Sequence, residues 1–454
     1  MPRLSRITIP LVVLLLVLLP APGCKTRDPY YCEGAPRDNC LLLDADVPCT
    51  RSSECSGDKP ICDVGGTGVC VQCTPAEADA CSGTTPVCRG AACDACAAHA
   101  ECPASDVCLP DGACADPALD QVAYVAPAGT DNATCTKATP CTLVSKALAT
   151  NRPYVKLTGT TDEAVTIDNG RIVTFLAEPG AKLTRTSGAG AIVTVRDNGT
   201  MVAIYDLSIS DAPNNPSGIG VVIPTASGSP TVTLVRAKLT NNPGGGISAS
   251  GGTLTVTQST LSGNAGGGIS VSGGTLTVAQ STLSANTGGG LSVMNGTFAI
   301  VGNVFFANGT LMSSVGGVAI STVQDVGNRF EFNSFYGNQT QLGVGGAIHC
   351  IAGTFTARNN IMNENVTPTN MAQVGGTCTH AYSIVRPGMV PIGTGNSGMD
   401  PLFQNTTTGD LHLKPGSPAL RAADPNSNLT GVAERDIDGD VRSSPADIGA
   451  DEVP

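Results

Sequence analysis

Between Gly244 and Asn308 short apolar and polar runs alternate, and the whole arrangement recurs every twenty-two residues. Gly244-Gly245-Gly246-Ile247-Ser248 returns as Gly266 to Ser270 and as Gly288 to Ser292. In step with it run the columns Leu254, Leu276, Phe298; Val256, Val278, Ile300; Leu261, Leu283, Phe305; and Asn264, Asn286, Asn308. Within one repeat, Thr253-Leu254-Thr255-Val256-Thr257 has the two-residue period of a strand with one buried face, not the period of a helix. A repeat this short cannot bury its own apolar face, whereas stacked copies bury it as a continuous core. The pattern therefore predicts a parallel β-helix, an all-β solenoid in which each strand pairs with its equivalent one coil along. Asn tolerates left-handed backbone angles and bonds its own turn, so the Asn column is expected to form a ladder at a bend. A flexible Gly/Ser tail would not keep these columns in step.

The columns extend both ways. Val232, Leu234, Leu239 and Asn242 continue them backwards; forwards, Asn303 to Asn308 recurs as Asn333 to Asn338 and Asn360 to Asn365, at spacings of thirty and twenty-seven, which puts the extra residues in loops on a coil of unchanged core. Coils from Tyr154 to about Asp400 would number roughly nine or ten, stacked about 4.8 Å apart as an extended rod. Ahead of them, Cys135 and Cys141 can close a small loop, Thr142 to Leu148 reads as a short helix with Thr142 as its N-cap, and Tyr154 to Leu157 begins the first strand. This order of loop, helix and strand resembles the N-terminal end of the right-handed parallel β-helices of the pectin-lyase-like superfamily. The resemblance implies right-handed coils and a capped first coil, whose strand edge would otherwise lie open.

The N-terminus changes the compartment. Arg3 and Arg6 precede the apolar run Ile7 to Leu19, too short to span a bilayer and shaped like a signal-peptide core. Ala21-Pro22-Gly23-Cys24 then resembles the lipobox of bacterial lipoproteins, departing from it at Pro22 and in lacking Leu at the first position. That resemblance implies lipidation of Cys24 and a bilayer as partner, in an outer-membrane or cell-surface protein; plain secretion is the alternative. Setting Cys24 apart from the 19 cysteines leaves an even number, which can pair completely in an oxidising compartment.

Twelve of the remaining cysteines fall into three groups of four: Cys49, Cys55, Cys62, Cys70; Cys73, Cys81, Cys88, Cys93; and Cys96, Cys102, Cys108, Cys114. Units this small lack the apolar mass for a core and need staples, most simply two disulfides each, with three pairings open in every unit. Cys32 and Cys40 would add another bridge. Zinc knuckles built on Cys70-x-x-Cys73 and Cys93-x-x-Cys96 compete less well, because each such pair straddles two units. The region resembles short Cys-rich repeats between lipid anchor and β-rich domain in surface proteins of some Gram-negative bacteria, notably myxobacteria, which implies a spacer or adhesion module. The expected organisation is a signal peptide over 1–23, an anchored linker over 24–48, disulfide-rich repeats over 49–115, a linker and cap over 116–153, the β-helix over 154–400 and a C-terminal cap over 401–454.

Composition narrows the chemistry. A net charge of −12 disfavours nucleic acid, since no segment supplies a basic stripe. Between Leu239 and Gln324 there is no Asp, Glu, Lys, Arg or His, so the acidic and basic cluster of a polysaccharide lyase or hydrolase has no place in these coils. Asp162, Glu163, Asp168, Arg171, Arg185, Arg196, Asp197 and Asp206 offer a smaller charged set in the early coils, more simply read as solvated edges. Cys350, Cys378 and His380 would share a zinc ion if one coil lay above the next, with His349 pointing away; a Cys350–Cys378 disulfide between neighbouring coils is the simpler reading.

The tail carries one more pattern: Asp400-Pro401-Leu402-Phe403, His412-Leu413, Gly416-Ser417-Pro418-Ala419, Asp436-Ile437-Asp438-Gly439-Asp440-Val441-Arg442 and Asp447-Ile448-Gly449-Ala450-Asp451-Glu452. In order and spacing it resembles the tail of the choice-of-anchor class of bacterial β-helix surface proteins, departing at Leu420, Arg421 and Asp451. The resemblance implies surface display. Asp436, Asp438 and Asp440 have calcium-like spacing without the later ligands of an EF-hand, and a closing cap whose Asp residues bond backbone amides is the alternative role. No cofactor is implied. The sequence thus points to a displayed β-helix that binds polysaccharide or another surface protein, against a divergent polysaccharide lyase or glycoside hydrolase and a purely structural envelope protein.

Overall fold

The computed structural model describes residues 48–224, 228–322, 327–341, 345–368 and 371–454; Cys24, Cys32 and Cys40 lie outside the described residues. The chain forms two compact units that divide between Ala95 and Cys96.

In the first unit each four-Cys repeat is a two-stranded hairpin held by two bridges. Cys49–Cys62 and Cys55–Cys70 staple one repeat, Cys73–Cys88 and Cys81–Cys93 the next. The first cysteine pairs with the third and the second with the fourth, so the two bridges interlock. The third repeat has the same connectivity, Cys96–Cys108 and Cys102–Cys114, yet belongs to the second unit. It packs on the solenoid as part of the second unit, not with the other two repeats. Val107 and Ala115 pack on Val122 and Leu176, and the Tyr124 hydroxyl donates to the Ser105 carbonyl at 2.6 Å. The apolar contact explains the shift in boundary.

The second unit is an all-β parallel solenoid. Each complete coil passes in turn through sheet A (Thr253–Thr257 in the repeat named above), sheet B (Thr260–Ser262) and sheet C (Ile269–Ser272), which hold eleven, ten and nine strands among the described residues. Leu254 pairs with Leu276 and Leu276 with Phe298 in sheet A; all three are buried, and they form one internal column. The Leu261 and Leu283 column of sheet B continues into Phe305 and Phe335, whose rings stack at 4.6 Å with planes 4° apart. Strand pairing begins earlier than Tyr154, because Val122–Val125 is already the outermost strand of sheet A. The short helix spans Val144–Ala149 and is capped from a distance. Thr142 instead bonds Asp131, while the Glu163 carboxylate accepts from Val144 N at 2.7 Å and from Ser145 N.

The Asn column is a ladder, but of another kind than a self-bonded turn. Asn242, Asn264, Asn286, Asn308, Asn338 and Asn365 point inward and are fully buried. In each step the amide oxygen accepts both the backbone N–H and the side-chain N–H of its counterpart one coil earlier: Asn264 N and Nδ2 reach Asn286 Oδ1 at 3.1 and 2.9 Å. The Nδ2 group also donates to the earlier coil's carbonyl, as Asn286 does to Leu261 at 2.9 Å. The left-handed backbone sits one residue before, at Asn241, Gly263, Ala285 and Ala307, with φ from 52° to 65°. A second ladder at the corner between sheets A and B runs Ser259, Ser281, Asn303, Asn333, Asn360, Ser383. Both persist across the thirty-residue coil, part of whose added length follows Asn308. The Gly triplets have a steric cause. A Cβ on Gly246, Gly268 or Gly290 would come within about 2.5 Å of the carbonyl oxygen one coil along.

The C-terminal segment is not an end cap. It lies along the outer face of sheet B, where the outward positions change from Thr260 and Thr282 to Val304, Ile361 and Ile384. Those three, with Phe332, pack against Phe403, Leu411, Leu413, Ala419 and Ile448. Gly449 N to Asn359 O at 3.0 Å and Ala450 N to Ser334 Oγ at 2.9 Å fasten the segment to the solenoid. The end of the coil stack is met by the segment after Arg386, through Val385 N to Ser397 O at 2.8 Å, with Asn396 joining the second ladder.

Replacing Asn286 with Ala leaves the Asn264 backbone N–H buried without a partner and removes the side-chain bonds to Asn264 Nδ2 and to the Leu261 carbonyl. We predict a loss of roughly 3 kcal/mol in a denaturant titration, against less than about 0.5 kcal/mol for Thr255→Ala on an outer face.

Candidate functional site

The early-coil charges do not converge. Asp162 accepts from Thr186, Glu163 caps the helix, Asp168 pairs with Arg196 at 2.8 Å, Asp197 accepts from Asn169 N, Arg171 and Arg185 bond nearby carbonyls, and Asp206 holds Arg236 through two contacts of 2.7 and 2.8 Å. Each serves its own corner.

Nor does the structure assemble a zinc site at Cys378. Cys350 and Cys378 are joined as a disulfide across the neighbouring coils, their Cα atoms 5.7 Å apart, which removes both thiolates. His380 faces inward beside them, Nε2 3.8 Å from Cys378 Sγ and Nδ1 without a partner, and burial pushes its pKa down to about 4. His349 lies on the other face of its strand, half-buried.

The calcium candidates also separate. Asp436 Oδ1 accepts the N–H groups of Asp438 and Asp440 at 2.9 and 2.8 Å, and its Oδ2 accepts Glu452 N at 2.9 Å, so this carboxylate forms a turn and is spent on backbone amides. Glu452 and Asp447 act likewise: Glu452 receives Ser443 N and Asp447 N, and Asp447 receives Arg421 N and Val453 N. Arg442 is enclosed between them, its guanidinium 4.5 Å from the Phe332 ring centroid and donating to the Gly449 and Ala450 carbonyls. The tail signature is thus the internal skeleton of the segment along sheet B.

What that segment does assemble is a cleft of about 470 Å³ between itself and the solenoid. One wall carries Gln258, Thr260, Gln280 and Thr282 of the uncharged coils and Arg236, and the other carries His412, Asp438 and Asp451. On the strand Asp410–Leu413, alternation puts Asp410 and His412 on one face. His412 Nδ1 is 2.5 Å from Asp410 Oδ1 and Nε2 is 2.7 Å from Asp438 Oδ2. Burial opposes protonation of the imidazole, but its bond to Asp410 and the charges of Asp438 and Asp451 outweigh this and raise its pKa. Asp451 is buried, accepts Leu413 N at 2.8 Å, and has a raised pKa, chiefly from burial. In the sequence His412 stands within the tail pattern with no role marked out for it. The signal for it was the alternation Asp410-Leu411-His412-Leu413.

The family model described as the right handed beta helix region matches residues 190–384. No curated protein matches the chain. Among solved structures, the crystal structure of pectate lyase Pel9A is similar at a TM-score of 0.46 and 15% identity, covering 73% of this chain and 96% of that one. The class defined by coils and family match together is a right-handed parallel β-helix.

His380 gives a pH prediction. It is neutral in the folded chain and protonates near 6.5 when unfolded, so its contribution is complete above pH 6.5 and falls away as pH drops towards 4. That loss amounts to roughly 3 kcal/mol. Denaturant titrations at pH 7 and pH 4 should show a wild-type decrease that is smaller by about this amount in His380→Leu.

Proposed function

We propose that this chain is an exported surface protein, tethered through lipidated Cys24, whose β-helix binds polysaccharide or a neighbouring surface without turning it over. The observation that carries this reading is the run of coils from Leu239 to Gln324. They expose Thr253, Thr255, Thr275, Thr277 and Thr297 on sheet A and Ser270 and Ser292 on sheet C, with no ionisable group among them. Neutral hydroxyls on stiff, regularly spaced strands donate and accept hydrogen bonds, and are unsuited to proton transfer at neutral pH. Paired cysteines throughout the disulfide-rich region support an oxidising compartment.

A second reading has one observation in its favour: the cleft brings a histidine and carboxylates together, the groups an acid–base hydrolase or lyase needs. One experiment separates the two. On a glycan array the mature protein is expected to retain a polysaccharide class, and incubation with that class should yield neither reducing nor unsaturated ends. Product formation lost on substituting Asp438→Asn would overturn the binding reading in favour of catalysis, and neither binding nor product would leave a purely structural role.

A further inference from the structure

His412 sits between two carboxylates, and with the imidazole neutral that arrangement has a hydrogen-bond mismatch in it. Ionised Asp410 and Asp438 can only accept, while a neutral imidazole has a single N–H. With Nδ1–H given to Asp410 at 2.5 Å, the Nε2 lone pair points at Asp438 Oδ2, 2.7 Å away. A lone pair aimed into a group of carboxylate oxygens is the disposition of a metal ligand, and a carboxylate behind the other ring nitrogen is how ligating histidines are oriented.

Asp451 adds the third donor. It is 7% exposed, lines the same cleft, and one ligand atom from each of His412, Asp438 and Asp451 lies within 4.8 Å of the others. The other cation on the cleft wall, Arg236, is committed to Asp206 through both arms of its guanidinium. Among the described residues His412 is then the one cationic side chain bonded to Asp438, and Asp451 has besides it only the charge of Arg442 nearby, while a buried carboxylate demands compensation. The donors come from three separate stretches of the tail, the hairpin strand, the turn after Asp436 and the last residues. Asp436 orders that turn by taking the Asp438 and Asp440 amides, and Leu413 N fixes Asp451.

We propose that His412, Asp438 and Asp451 bind a divalent cation of the zinc class, with Asp410 fixing the imidazole tautomer and the cleft leaving a further coordination position open. One imidazole nitrogen and two carboxylate oxygens with an open position suit zinc, whereas calcium takes six to eight oxygens and no imidazole. The inference is independent of glycan binding: the site can fill in a protein that binds no sugar.

The test is calorimetric titration of zinc chloride into the full chain without reductant, so that the disulfides stay closed, repeated on Asp438→Asn and His412→Gln. Asp438 is exposed, so its substitution leaves the fold intact and decides the matter even where His412→Gln fails to fold. Saturable binding of zinc to the wild type, weakened about tenfold or more in Asp438→Asn, is the expected result. Cobalt in place of zinc should give a visible absorption band that the same substitution removes. Absence of saturable zinc binding, or equal affinity in wild type and Asp438→Asn, would overturn the proposal and leave His412 as an imidazolium bridging two aspartates.

Discussion

Two columns of buried amides and hydroxyls hold the coil register. In a parallel solenoid the strands pair laterally along the axis, but the N–H of a corner Asn has no strand partner and would be buried and unpaired. Asn286 ties its coil to the one before, accepting the Asn264 backbone and side-chain N–H groups on Oδ1 and donating Nδ2 to the Leu261 carbonyl. Since the buried N–H of each Asn is met only by the amide oxygen of the next, the ladder cannot slip by a residue without stranding a buried donor at every coil. The apolar columns then pack on a register that the amides define.

From that constraint follow the other features of the second unit. Coil length varies after Asn308, while the bonds Asn308 to Asn338 and Asn303 to Asn333 remain. Because core and corners stabilise the coils without ions, the outer faces from Leu239 to Gln324 can be neutral. Charge gathers instead where the tail crosses sheet B, and there it is organised twice over: Arg442, Asp447 and Glu452 inside the segment, and His412 with Asp410, Asp438 and Asp451 at its edge.

Much of the solenoid was legible because a period of twenty-two residues repeats the same four columns, and repetition makes inward and outward positions distinguishable. Where repetition ends, legibility ends too. Ile361 and Ile384 read as ordinary strand residues, and nothing in their local pattern says that they face outward under a covering segment. The third Cys repeat has the cysteine spacing of the others, and its placement on Leu176 depends on a surface more than sixty residues away. Glu163 caps the helix from the next coil, so the neighbouring Thr142 was the natural but wrong choice. The Asn columns were visible, yet the backbone strain falls on the preceding residue, because the Asn side chain must turn inward. In the cleft, Asp436-x-Asp438-x-Asp440 drew attention by its spacing, whereas the groups that meet come from sequence positions 412, 438 and 451.

Native-state hydrogen exchange tests the ladder most directly. If the corner amides are the register-setting bonds, Asn264 N, Asn286 N and Asn308 N exchange as slowly as the adjacent strand amide of Leu276, in one cooperative opening. Exchange of those corner amides at the rate of an exposed turn such as Gly266, while the strands stay protected, would contradict the account.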